Sequence, residues 1–211
     1  MGIQFKQVEP YLSKIDRGAW VETGADRGEG STGWLIEQWK LYGADKFYCI
    51  DMNKEVLDKS IAKHAHEDNV EFRLGPAEKI LQENPIPNVA LAYLDSFDWD
   101  FWTDGTPEEG FVAPIRETYQ KHMNVEMNNL NSQICHVAQG FHLMSQMLDN
   151  SLIVCDDTWL EPKEGIFIGK CSALIPLLLC SRYHIIKHMG YRNDPGGSCV
   201  ILGRGKVLDE N

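Results

Sequence analysis

Two groups of residues have the types and spacing to do chemistry. The first is the turn Val21-Glu-Thr-Gly-Ala-Asp-Arg-Gly-Glu-Gly-Ser-Thr32 together with Asp51, which ends the apolar run of Tyr48-Cys-Ile-Asp-Met-Asn53. Gly24, Gly28 and Gly30 let the backbone bend sharply and approach a ligand, and Ser31 or Thr32 can cap a following helix. An ordinary strand-to-helix turn needs one glycine, so three of them beside the acidic Glu22 favour a ligand site. The spacing is G-x-x-x-G-x-G rather than G-x-G-x-x-G, and it puts Asp26 where a pyrophosphate would have to approach. A carboxylate there repels a diphosphate. Asp51, about 20 residues beyond the turn, can accept hydrogen bonds from both hydroxyls of a ribose. The ligand implied is a nucleoside without phosphates.

The second group consists of aspartates at the ends of two further apolar runs. Asp95 closes one in Ala92-Tyr-Leu-Asp-Ser-Phe-Asp98, and Asp156 and Asp157 close another in Leu152-Ile-Val-Cys-Asp-Asp-Thr158. If the two runs are neighbouring strands of a parallel sheet, the three carboxylates converge at its carboxyl edge, where such sheets bind ligands. Three hard oxygen donors suit Mg2+, Mn2+ or Ca2+, and a cation held there would lower the pKa of a bound hydroxyl. The competing reading is a strand end followed by a turn cap. His136, on the preceding helical pattern, is placed to take a proton as base, or else packs in the core as a hydrogen-bonded residue. His142 lies six positions on, hence on another face. Lys170 reads as a substrate contact or as a chain reaching to solvent.

These residues need elements to position them. Short β-branched or aromatic runs predict strands at Ala19–Thr23, Phe47–Asp51, Val70–Leu74, Ala90–Asp95, Leu152–Asp156, His184–His188 and Cys199–Leu202. Apolar residues at three and four spacing predict helices at Thr32–Leu41, Glu55–Ala65, Ala77–Gln82, Gln133–Leu148 and Lys170–Cys180. Strands alternating with helices build an α/β fold with a parallel sheet covered on both faces. Residues 96–132 break the rhythm with Trp99, Phe101, Trp102, Gly105, Pro107, Gly110 and Pro114 and an Asn-rich stretch. They read as a lid-like insertion that excludes water and selects the substrate.

Residues 1–211, 43% of them hydrophobic, are enough for one sizeable core, so a single domain is expected. A formal charge of −11 repels phosphate backbones, which argues against nucleic acid as a partner. Six cysteines without a C-x-x-C pair read as reduced core thiols. No run is long enough to span a bilayer and the N-terminal residues lack a signal pattern, so a cytoplasmic protein without membrane contact is expected. A homodimer is compatible with all of this.

The glycine turn is similar to motif I of class I S-adenosylmethionine-dependent methyltransferases, Asp51 matches their ribose-binding acid, and Leu74-Gly-Pro-Ala-Glu78 looks like their adenine-flanking segment. The likeness runs from about Trp20 to Leu202. It implies a Rossmann-like doubly wound sheet of seven strands, order 3-2-1-4-5-7-6 with the last antiparallel, and S-adenosyl-L-methionine as cofactor. By the same resemblance Glu22, Gly24, Gly28, Gly30, Ser31 and Thr32 hold the methionine half and Asp51 with Met52 the ribose. Gly75, Pro76, Ala77 and Glu78 flank the adenine, and Asp95 closes the site. The strand-end aspartates further resemble the metal-dependent small-molecule O-methyltransferases. That likeness implies O-methylation of a small-molecule acceptor assisted by Mg2+ or another divalent cation on Asp95, Asp156 and Asp157. In that group a second acid follows closely and acts as base; here the spacing is Asp95, Asp98, Asp100, and Asp98 takes that role. Residues 133–157 also resemble an uncharacterised bacterial methyltransferase group with a Val-x-Asp-Asp strand end. Ser-Phe-Asp after Asp95 departs from the Asn/Asp-Pro-Pro-aromatic tetrad of enzymes that methylate nucleic-acid amino groups. A binding module without catalysis, a metal-independent N-methyltransferase and, against the glycine spacing, a nicotinamide-dependent oxidoreductase are the alternatives.

Overall fold

The computed structural model describes residues 3–25, 28–42, 45–100, 109–190 and 197–208. In chain order its elements are α1 (Ile3–Leu12), β1 (Ala19–Thr23), α2 (Gly30–Tyr42), β2 (Phe47–Asp51), α3 (Lys54–His64), β3 (Val70–Leu74), α4 (Ala77–Glu83) and β4 (Val89–Leu94). There follow α5 (Glu109–Met123), α6 (Asn129–Met144), β5 (Met147–Asp156), β6 (Thr158–Glu161), β7 (Ile166–Gly169), α7 (Ile175–Cys180), β8 (His184–Met189) and β9 (Cys199–Arg204). Seven strands form one sheet in the order β3-β2-β1-β4-β5-β9-β8, and β6 and β7 form a separate antiparallel ribbon. β1 to β5 are parallel, and β9 runs antiparallel to both of its neighbours. With β8 and β9 as the sixth and seventh strands of the sheet, this is the expected order 3-2-1-4-5-7-6.

The central strands have apolar residues on both faces because helices cover both. Trp20, Cys49, Leu91, Tyr93, Leu152 and Val154 pack with Phe5, Trp34, Leu35 and Trp39 of α1 and α2. Their chain neighbours Val21, Ile50, Ala92, Leu94 and Ile153 face the other way, onto Leu81, Leu143, Leu174 and Leu178 of the helical layer opposite. Each fully buried aliphatic side chain contributes about 1.5–3 kcal/mol, which holds the sheet's register. That register sets Thr23 beside Ile50 and Leu94, and Leu94 beside Cys155, so the residues that follow these strands emerge along one edge.

Several elements differ from the sequence expectation. α1 and α5 were not foreseen as helices, nor was the β6–β7 ribbon foreseen at all. Residues 170–174 form turns rather than the start of a helix, so α7 begins at Ile175. α6 starts at Asn129, four residues earlier than its apolar periodicity suggests, because the Asn128 side chain caps it by accepting the N–H of Asn131 at 2.8 Å. In the described part of residues 96–132, Phe97, Tyr119 and Met127 form a small third core with Cys135 of α6, and Met52 packs against it. Phe101 and Trp102 lie outside the described residues.

Candidate cofactor cleft

A cavity of about 400 Å³ opens at the carboxyl edge of the sheet, lined by Gly24, Ala25, Asp51, Met52 and Asn53 on one side and Asp95, Ser96 and Asp98 on the other. Asp51 stands at its centre because β2 ends there. Its Oδ2 accepts the N–H of Ala25 at 2.7 Å and its Oδ1 the N–H of Asn53 at 2.6 Å. Each oxygen keeps a lone pair for a further donor, which fits a pair of vicinal hydroxyls. Burial pushes the Asp51 carboxyl up to about 6, and the two backbone N–H groups oppose that shift. Gly24 has φ +91°, and a Cβ there would lie 2.5 Å from the carbonyl oxygen of Asp95, so the β1 and β4 loops can close on each other only over glycine.

A narrow slot adjoins the cavity, lined by Ile50, Asp51, Met52, Gly75, Pro76, Ala77, Glu78, Ser96, Phe97 and Cys135. Asp51, Met52 and Ser96 belong to both. The expected adenine segment, Gly75 to Glu78, thus meets the expected ribose acid, with Met52 and Phe97 as apolar surfaces for a flat ring.

The rest of the glycine turn does other work. Glu22 is fully buried beneath the turn, where it accepts the Ser31 hydroxyl at 2.7 Å and lies 3.4 Å from the Cys49 sulfur. Burial pushes its carboxyl up to about 7, against the hydrogen bonds from Ser31, Thr32 and Cys49. Ser31 and Thr32 are buried within α2 rather than capping it. Gly28 has φ +72° and packs on α3, with its carbonyl 2.9 Å from Nε2 of His64. Glu22, Gly28, Gly30, Ser31 and Thr32 therefore shape the turn from outside the cavity lining. Asp26 lies outside the described residues.

The strand-end aspartates do not converge on an open point. Asp156 accepts the Tyr93 hydroxyl at 2.9 Å, and Asp95 and Asp157 are both bonded to the ammonium of Lys170, at 3.0 Å for Asp157. Among the described residues no three His, Cys, Asp or Glu side chains are grouped to hold a metal ion. The residues present do not fit a divalent cation, because the Lys170 ammonium occupies the point between Asp95 and Asp157, and Asp156 is turned to the Tyr93 hydroxyl. Lys170 is 2% exposed, so it neither reaches solvent nor joins the cavity lining. Burial works against its charge, and Asp157, Asp95, Asp98 and Asp156 together outweigh that and raise its pKa.

His136, expected as a base, is fully buried with Nδ1 2.8 Å from the Ser132 carbonyl oxygen. Burial, then the charge of Lys170, pushes its pKa down to about 3. A base that weak and enclosed is poorly suited to take a substrate proton near neutral pH. Asp98 does line the cavity. Its N–H donates to the Tyr119 hydroxyl at 2.7 Å, and that hydroxyl lies 3.2 Å from Asp98 Oδ2 and from the Ser96 carbonyl oxygen.

Tyr119, Pro114, Ile115 and Thr118 bring α5 over the cavity as a third wall. Tyr119 also packs on Phe97 with ring centroids 4.2 Å apart. Underneath, Gln139 of α6 accepts the Thr23 hydroxyl at 3.0 Å and donates to Ser96 Oγ at 2.5 Å, tying β1, α6 and the cavity floor together. Reading the sequence missed Ala25, Asn53, Ser96 and Tyr119. The first two act through backbone N–H groups, which leave no mark on residue type, and Tyr119 belongs to a helix whose Gly110 and Pro114 read as loop residues.

The sheet order with its antiparallel last strand is the Rossmann-like methyltransferase fold, and the cleft sits at the carboxyl edge of that sheet, where open parallel sheets bind ligands. Among solved structures, a Streptococcus mutans protein described as a methyltransferase and solved with SAH aligns over 97% of this chain and 99% of its own, at 11% identity and TM-score 0.60. An rRNA methylase from Streptococcus thermophilus aligns over 94% of both chains (11% identity, TM-score 0.55). The N-methyltransferase of Bradyrhizobium japonicum aligns over 95% of this chain and 93% of its own (9% identity, TM-score 0.53). No family profile matches the sequence, and no curated protein does. At these identities the likeness establishes the fold alone; of the three descriptions, that of the Streptococcus thermophilus protein names an acceptor, rRNA.

Proposed function

We propose that this protein is an S-adenosylmethionine-dependent methyltransferase acting on a small-molecule acceptor. The observation that carries the reading is the position of Asp51, held by two backbone N–H groups where the cavity and the slot meet. Asp51 would take the ribose hydroxyls, Met52 and Phe97 with Gly75 to Glu78 the adenine, and the Gly24 loop with Ser96 the methionine half. The cofactor, when bound, supplies a methyl group already activated by a sulfonium, so the protein need only align the acceptor and exclude water. Asp51 and Asp98 give the cavity a negative field suited to that cation. Asp98, steadied by Tyr119, is the carboxylate placed to receive the acceptor's proton. α5 closes the cavity from above and sets the space left for the acceptor.

Metal-assisted O-methylation is not part of this proposal, because Lys170 stands between the carboxylates. The acceptor atom is an oxygen or nitrogen that needs no chelated cation. Self-association through the outer face of α6 belongs to the same reading: Leu130, Ile134 and Phe141 are exposed there, and the helix carries no Asp, Glu, Lys or Arg to oppose a second copy of an acidic chain. Sedimentation velocity of the wild type and Phe141→Glu tests it, with a wild-type monomer at tens of micromolar counting against.

The first test of function is calorimetric titration with S-adenosylhomocysteine. Wild type should bind, and Asp51→Ala should weaken binding by at least about tenfold, since about 1.4 kcal/mol suffices for that factor and hydrogen bonds to a charged group contribute about 1.5–3 kcal/mol. Wild type that is folded and fails to bind would overturn the methyltransferase reading.

A further inference from the structure

The backbone on both sides of Lys170 is built to deliver it to the junction of β4 and β5. The β6–β7 ribbon pairs Thr158 with Gly169. Gly169 has φ +112°, and a Cβ there would overlap the carbonyl oxygen of Asp157. That oxygen accepts the N–H of Lys170 at 3.1 Å, and Thr158 Oγ1 accepts the N–H of Cys171 at 3.1 Å while donating to the Asp156 carbonyl at 2.9 Å. Asp157 itself has φ +44°, a conformation uncommon outside glycine and the short polar residues. The lysine is thus fixed at its backbone, buried along its stem and bonded at its tip to Asp95 and Asp157.

A buried ammonium is retained only where carboxylates compensate its desolvation, and two carboxylates at a strand junction need a cation to relieve their repulsion. We propose that Lys170 is a positioning residue occupying the place of a divalent cation: it locks the Asp95 carboxylate against Asp157 and so sets the orientation Asp95 presents to the cofactor cavity, in a site that works without metal. The proposal rests on the methyltransferase reading only for naming that cavity's ligand. An ammonium brings one positive charge and no open coordination position, so an acceptor here is not held by chelation, and vicinal-diol substrates lose the advantage that a metal would give them.

Mn2+ binding, followed by electron paramagnetic resonance on the whole protein, tests this apart from any activity. Wild type should take up no Mn2+ at this junction at millimolar concentration, and its affinity for S-adenosylhomocysteine should be the same in EDTA as in Mg2+. Lys170→Ala should gain one Mn2+ site, with a Kd on the order of 10⁻⁴ to 10⁻³ M as for sparsely charged oxygen sites, and Lys170→Ala/Asp157→Asn should lose it. A wild-type Mn2+ site abolished by Asp157→Asn overturns the proposal, as does a folded Lys170→Ala that gains none. Should Lys170→Ala fail to fold, the wild-type Mn2+ and EDTA measurements decide alone. Failure of wild type to bind S-adenosylhomocysteine, with the Mn2+ pattern as expected, would overturn the cofactor reading and leave the resident cation standing.

Discussion

At the scale of single residues the cleft is supported by carboxylates kept under unequal conditions. Asp51 keeps lone pairs toward the cavity, whereas Glu22 is sealed beneath the turn and bonded to Ser31. Glu22 therefore has a measurable cost that Asp51's role hides. Its carboxyl is raised from 4.5 to about 7, so its contribution to stability is present below pH 4.5 and is lost as pH rises through 7. The upper figure for that loss is about 3 kcal/mol, from roughly 2.5 pK units. Glu22→Gln keeps the shape and the acceptor for Ser31 without the ionisation. Its melting temperature relative to wild type should rise across pH 4.5 to 7 and level off above; scanning calorimetry at a series of pH values checks this, and parallel curves for the two proteins would mean that Glu22 does not titrate with folding.

At the scale of elements, α5 becomes a wall of the cleft through one tyrosine. Tyr119 joins the helix to Ser96 and Asp98 by its hydroxyl and to Phe97 by its ring. The salt bridge from Arg116 to Asp100 adds to this at 2.6 Å, between a half-exposed guanidinium and a buried carboxylate. Tyr119→Phe removes the hydroxyl and keeps the ring, leaving the Asp98 N–H without its partner, at a cost of about 1–3 kcal/mol. The expected result is faster tryptic cleavage after Arg116 and Lys121, slowed again by S-adenosylhomocysteine, with a melting temperature lowered by about 2–4 °C for each kcal/mol lost. Cleavage at the wild-type rate would show that α5 is held by something other than Tyr119. The β6–β7 ribbon has the same kind of local role, turning the chain so that residue 170 points back into the strand junction.

For the whole molecule, charge and topology bear on different questions. The fold is shared with proteins described as rRNA methylases, so topology does not separate acceptors. Net charge speaks to that choice: at −11 the chain as a whole repels a phosphate backbone at long range. Titration of bulk ribosomal and transfer RNA at physiological salt should show no saturable binding at micromolar protein. Saturable binding that weakens steeply with added salt would instead place RNA among the acceptors. No helix among the described residues is long and apolar enough to cross a membrane.

What the sequence determined by itself was the sheet and the half of the site that hangs on strand ends. Ala19–Thr23 and Phe47–Asp51 were legible to the residue because a largely buried strand leaves a short apolar run, and the half-buried edge strand Val70–Leu74 through its β-branched and aromatic residues. Asp51 and Gly75 to Glu78 follow from where those strands stop, and Asp95 from the end of the fourth strand, expected at Ala90–Asp95 and found at Val89–Leu94. Tertiary structure decided the rest. Asp156, Asp157 and Asp95 suggest a metal in sequence because carboxylates repel, and nothing local shows which cation relieves them. Lys170, 75 residues after Asp95, supplies it only once an unpredicted ribbon folds back. Glu22 and Asp51 are both acids at strand ends, and only packing put one under the turn and the other in the cavity wall. Burial and long-range pairing depend on neighbours distant in the chain, and residue type with local spacing does not encode them.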